Sequence, residues 1–226
     1  MTDGIRFGSI GGIRIGIHWS VLFVAWLLAW GLATSVLPGE APGMHPAGYW
    51  LAGLAVAGLF FVSLLAHELA HALIARRSGV EVEEVTLWLL GGVAKLRGEA
   101  RTPAAEFWIA AAGPIVSGSS AGGFWLAGVT LDGAGAPSLA VAAMAWLARV
   151  NLVLAVFNLL PGAPLDGGRI LRAIVWHVRG DRVRPVCWRP RPGACSGLRS
   201  CSSGQSSSWW VLISARCGAS SWGSSS

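Results

Sequence analysis

His67-Glu68-Leu69-Ala70-His71 sets two imidazoles four positions apart with a carboxylate between them. On a helix that spacing is about one turn, a rise of about 6 Å, so both rings lie on one face and reach a single Zn²⁺. Glu68 points beside that face, where it can take a proton from a water activated at the metal and later deliver it to a leaving amine. It is read as a general base and not as a ligand. By chance the pattern arises in a chain of this composition about 3 times in a thousand. It also sits inside an unbroken apolar stretch, 49–75. Ionisable groups in hydrocarbon cost about 3 kcal/mol each even on lenient scales, so three of them together argue for chemistry over a polar patch between helices.

Two histidines leave a catalytic zinc half-coordinated, because such sites take three protein ligands and a water. Among the remaining His, Asp and Glu, the candidates are His18, His45, Glu106, Asp132, His177 and Asp166. Asp166 stands in Asn158-Leu159-Leu160-Pro161-Gly162-Ala163-Pro164-Leu165-Asp166-Gly167-Gly168-Arg169. Two prolines and three glycines there forbid a continuous helix. Irregular backbone near membrane depth is tolerated where it is buried in protein or lines a watery cavity. A break that carries a carboxylate can turn back and complete the metal shell.

The elements that must position these groups are membrane helices. The chain has 226 residues, of which 54% are hydrophobic and 12% charged, with a mean hydropathy of +0.58, too apolar for an ordinary soluble domain. Four stretches are long enough to cross about 30 Å of hydrocarbon: 19–37, 49–75, 104–130 and 138–160. The first follows Arg6 and Arg14 and is read as a retained helix, not a signal peptide. Turn chemistry bounds each stretch, at Pro38-Gly39, Gly79, Thr102-Pro103 and Asp132-Gly133. Segments 38–48 and 131–137 carry no Lys or Arg, whereas the N-terminus, 76–101 and the region after Arg169 carry many. This alternation predicts a multi-pass protein of the cell membrane with both termini cytoplasmic.

The net charge of +6 is spread over these loops and not clustered with stacking aromatics, so a nucleic-acid partner is not expected. Gly118 and Gly122 form a GxxxG pattern in the third span, and Gly53, Ala57 and Gly58 a similar stripe in the second; both permit close helix approach. Between those spans, 80–98 alternates Val80, Val82, Val85, Leu87 and Leu89 with polar residues, which predicts a β-hairpin at the membrane boundary. Its edge could accept an unwound substrate segment as another strand. The fold class expected is therefore an all-α multi-span membrane protein, about four helices, with a small membrane-associated β-hairpin or sheet between spans two and three.

Past residue 182 the character changes. Thirteen of the last 31 residues are Ser, and all four cysteines (Cys187, Cys195, Cys201, Cys217) fall here without C-x-x-C spacing. The organisation expected is a membrane-embedded metalloprotease core over 1–182 and a Ser/Cys-rich tail over 183–226, disordered or out of frame.

At this point the chain resembles a known family. His67-Glu68-Leu69-Ala70-His71 in an apolar helix, followed by the segment from Asn158 that ends Pro164-Leu165-Asp166-Gly167-Gly168, looks like the site-2 protease family of intramembrane zinc metalloproteases in its compact prokaryotic form. Gly16-Ile17-His18-Trp19, Leu90-Gly91-Gly92-Val93 and Ala112-Gly113-Pro114 also match, and coverage runs over 5–181. The resemblance implies that His67, His71 and Asp166 bind one zinc ion and that Glu68 activates water. It implies for Asn158 a polar contact to substrate or oxyanion. It further implies that substrates are single-span membrane proteins cut within or beside the bilayer, with regulated release of a cytosolic factor as the usual outcome. Relatives commonly continue into further transmembrane helices or nucleotide-sensing domains, where this chain has its Ser-rich tail.

Two rival functions use the same residues. One is a metal carrier, which gives no reason for Glu68 and would favour further ligands along a path; the other is an inactive truncated adaptor that still holds membrane clients. Arg149, inside the fourth span, is expected to find a partner or a water cavity; it is read as a structural pairing with Glu106, the alternative being a contact to substrate carbonyls. His18 is read as a helix start.

Overall fold

The computed structural model describes residues 4–10, 12–88, 91–98, 100–162 and 164–180. The Ser/Cys-rich tail and part of the Leu90-Gly91-Gly92-Val93 motif lie outside the described residues. The elements run β1 (Gly4–Ile10), β2 (Ile13–His18), α1 (Trp19–Gly31), a π-helical turn (Leu32–Val36), α2 (Leu37–Glu40), α3 (Pro46–Arg77), β3 (Glu81–Trp88), β4 (Gly91–Arg97), α4 (Pro103–Gly133), α5 (Ser138–Asn158) and α6 (Asp166–Arg179).

Helix boundaries follow from local chemistry. His18 caps α1: its Nδ1 accepts from the Ser20 amide at 3.3 Å, satisfying a donor that the first turn leaves orphaned. His45 does the same for α3 at Ala47, ahead of Pro46 at the first helical position, where a missing N–H costs nothing. Thr102 caps α4 at Ala105, 3.2 Å away. Helix α3 stops where Gly79 adopts φ +78°, the left-handed geometry that lets the Val80 amide reach back to the Ala75 carbonyl at 3.0 Å.

Three helical segments are long and apolar enough to cross a bilayer: Trp19–Glu40, Pro46–Arg77 and Ser138–Asn158. Helix α4, 31 residues long, carries glycines, serines and Pro114 that lower its hydropathy, and it packs between α3 and α5. Outward faces are apolar: Trp19, Phe23, Leu51, Val62, Trp125 and Val153 are all more than half exposed, which in water would be a penalty and in lipid is the ordinary surface. One core cluster joins the π-helical turn, α2, α3 and α5 through Leu32, Leu37, Val56, Ala143 and Leu147. Tyr49 pins the turn into α3, its hydroxyl donating to the Ala41 carbonyl at 2.6 Å.

The predicted hairpin is present as β3–β4, with Val85 and Leu87 buried and Thr86 opposite Val93. It belongs to a larger sheet than expected, four strands in the order β1-β2-β3-β4. Strands β1 and β2 are antiparallel, whereas β2 runs parallel to β3, with Ile15 opposite Val85. The alternation Ile13, Ile15, Ile17 against Arg14, Gly16, His18 is the signal for β2. Ile13 and Val85 pack on Ala72 of α3, so the sheet is seated on the residue that follows His71.

The small-residue stripes divide. A methyl at Gly53 would meet the Ala29 carbonyl at 2.8 Å, marking a close approach of α1 and α3, whereas nothing described lies within 4 Å of one at Gly58, Gly118 or Gly122. The GxxxG pair of the third span is not a packing surface among the described residues. Close approach of α4 to α5 occurs at Gly128, against Met144.

Candidate metal centre and active site

The two histidines of α3 point toward α4 and are buried, 3% exposed for His67 and 9% for His71. Each ring is fixed from behind by α4. His71 Nδ1 donates to the Ile109 carbonyl at 2.6 Å. Since a carbonyl only accepts, the proton is on Nδ1 and the Nε2 lone pair faces forward. His67 Nδ1 lies 2.9 Å from Ser117 Oγ, and its Nε2 also faces forward.

The chain breaks after α5, and Pro161, Gly162 and Pro164 carry it through a turn to Asp166, the first residue of α6. Asp166 Oδ2 lies 3.4 Å from His67 Nε2 and 3.2 Å from His71 Nε2. The two Nε2 atoms are 3.2 Å apart. Three acceptor atoms that converge in a buried pocket repel one another unless positive charge sits between them. Tetrahedral ligands at zinc distances of 2.0–2.1 Å lie about 3.3 Å from each other, so the triangle fits that ion. Among the described residues, this is the group of three His, Cys, Asp or Glu side chains able to share one metal ion.

Gly113 shows that the space in front of the ligands is kept open by α4. A Cβ there would collide with His71 Nε2 and come within 2.6 Å of His67 Nε2. Gly167 plays the corresponding part on α6, where a Cβ would collide with the Leu159 and Leu160 carbonyls. That contact lets the start of α6 fold tightly against the end of α5.

Of the residues singled out in the sequence, His67, His71 and Asp166 meet. Glu68 is half-buried on α3 directly beside them. Asn158 ends α5, and its amide donates to the Leu154 carbonyl of its own helix at 3.0 Å. His18 is a cap, as read. The pairing expected for Arg149 is corrected: its partner is Glu40, at 2.8 Å, while Glu106 pairs with Arg172. Ser117, the Ile109 carbonyl and the Glu106–Arg172 pair escaped sequence reading, since each is a contact between helices. The period of α4 held a clue, for Glu106, Gly113 and Ser117 share a stripe.

The sequence profile of peptidase family M50 matches residues 55–143 and 131–187, a span that contains both histidines, Ser117 and Asp166. The chain belongs to peptidase family M50. A Mycobacterium tuberculosis protein carrying the name "Putative zinc metalloprotease Rip3" is 51% identical over 198 residues, covering 88% of this chain and 50% of the relative. A zinc metalloprotease of Methanocaldococcus jannaschii is 34% identical over 77% of this chain and 46% of its own length. The chain spans about half the length of the curated relatives it matches. The solved structure of the site-2 protease from Methanocaldococcus jannaschii is 30% identical, with a TM-score of 0.50, covering 77% of this chain and 72% of that one.

Proposed function

We propose that this M50 chain is an intramembrane zinc endopeptidase that cleaves single-span membrane proteins within or next to the bilayer. The observation that carries the reading is the triangle of His67 Nε2, His71 Nε2 and Asp166 Oδ2, with 3.2–3.4 Å edges and Glu68 one position from the first ligand. His67, His71 and Asp166 hold the metal, one zinc ion per chain. Bound there, zinc supplies Lewis acidity to water and to the scissile carbonyl. Glu68 takes the proton from the attacking water and passes it to the departing amide nitrogen. Asn158 steadies the developing negative charge or the substrate backbone beside it.

A transmembrane substrate hides its amides in helical hydrogen bonds, so the segment to be cut must unwind. The outer edge of the β3–β4 hairpin offers backbone groups to receive it as an added strand. The chain crosses the membrane several times, α4 included, with both ends cytoplasmic, which follows from the Lys and Arg distribution. The histidines then lie toward the cytoplasmic end of α3, near Arg76 and Arg77, where water reaches Glu68. Release of a cytosolic factor from the cleaved client is the physiological consequence.

The test uses purified chain in detergent or liposomes with a model single-span substrate, with and without Glu68→Gln. Cleavage is expected to fall by 10² to 10⁴-fold, the range for loss of a general base, while zinc content stays at parent level. A metal carrier would keep its function in the variant. A parent chain that binds zinc and cuts nothing would make it an adaptor.

A further inference from the structure

Glu106 is a carboxylate in the first turn of α4 that is 3% exposed, and the reaction described above does not use it. Its partner is Arg172 on α6, whose Nε donates to Oε1 at 2.8 Å and whose Nη2 donates to the same oxygen. Two donors of one planar guanidinium on a single buried oxygen fix direction as well as distance.

The pair matters because of what stands on either side of it. Helix α4 presents one stripe of residues at helical spacing, and each member meets the metal centre or its supports. Glu106 takes Arg172, Ile109 takes His71, Gly113 leaves room for the ligand atoms, and Ser117 takes His67. Helix α4 is thus a template: it orients both histidines of α3 from behind. The third ligand belongs to α6, and Arg172 lies six positions after Asp166 on that helix, about 9 Å along its axis.

Helix α6 packs along α4. Asp166, Gly167 and Ala173 are buried, whereas Leu171, Ile174 and Val178 face outward at 49%, 46% and 77% exposure. The glycine contact at its start fixes where the helix begins.

We propose that Glu106, through its forked pair with Arg172, is a positioning residue that sets the rotation and axial placement of α6 and thereby delivers Asp166 to the two histidines. This rests on Asp166 being a metal ligand, as in the proposed function, and adds a residue and a mechanical role to it.

The experiment is a mutant cycle on zinc affinity, measured on the full chain in detergent by competition with a chromophoric chelator. Circular dichroism and size-exclusion chromatography report the fold. Arg172→Met and Glu106→Gln are each expected to weaken zinc binding 10- to 100-fold, the range for loss of a group that orients a ligand. In an Asp166→Ala background, either change is expected to weaken it less than twofold further, because nothing is left to position. Cobalt(II) spectra of Arg172→Met are expected to match those of Asp166→Ala. Arg172→Lys keeps the charge without the fork, is expected to fall between parent and Arg172→Met, and carries the cycle if the methionine variant does not fold.

Losses that simply add to that of Asp166→Ala, or a folded Arg172→Met or Arg172→Lys with parent zinc affinity and cobalt spectrum, would overturn the strut alone. Zinc affinity that is unmoved by Asp166→Ala would overturn the ligand assignment and the strut with it.

Discussion

His67 and Ser117, fifty positions apart on neighbouring helices, meet with Nδ1 2.9 Å from Oγ, and both side chains are buried. A ligand imidazole needs its rear nitrogen occupied so that its tautomer and ring plane are settled before the metal arrives. Ser117→Ala is expected to weaken zinc binding 10- to 100-fold and to lower cleavage with it. Chelator competition checks the first effect and substrate turnover the second. Parent affinity in the variant would show that the hydroxyl is only filling space.

Gly113 leads to a sharper expectation. Its missing Cβ would stand among the ligand nitrogens, so Gly113→Ala places a methyl where the ion belongs. The variant is expected to retain less than a tenth of the parent zinc content while keeping its helical circular dichroism. A zinc-replete Gly113→Ala protein would mean that α4 moves away from α3 more easily than its packing indicates.

The two arginine–glutamate pairs are expected to behave differently. Arg149 and Glu40 are 57% and 44% exposed and tie α5 to α2. Neither touches a ligand of the centre, so Arg149→Ala is expected to leave zinc affinity and turnover within twofold of parent. Partly exposed pairs contribute little on their own. Assayed beside the Arg172 variants, this one is the internal control.

His18 tests the cap. Its ring accepts from the Ser20 amide and lies 2.8 Å from the Ser20 hydroxyl. His18→Ala is expected to cost about 1 kcal/mol of stability, as for other lost caps, read as a lower melting temperature in detergent. Zinc affinity should not change.

How much of this could be read from residues alone varies with the range of the contact. The His67–His71 chelate is local, and helical spacing suffices to foresee it. Asp166 was legible because Pro161, Gly162, Pro164, Gly167 and Gly168 break the helical pattern around it. The hairpin was legible from alternation, but its enlargement by β1 and β2 depends on a parallel pairing of β2 with β3 across the whole of α1 and α3. Partners of Glu106, Arg149 and Ser117 were not legible, since they depend on how each helix is rotated about its axis. The same ignorance made Gly118 and Gly122 look like a packing stripe.

Two ligands stand near the end of α3 and the third opens α6, after two further membrane-scale helices have been threaded and folded back. During synthesis the histidines and Glu68 therefore exist for some time with nothing to close the coordination shell. The metal-binding group is thus complete only once α6 has packed back on α4 and brought Asp166 to the two histidines.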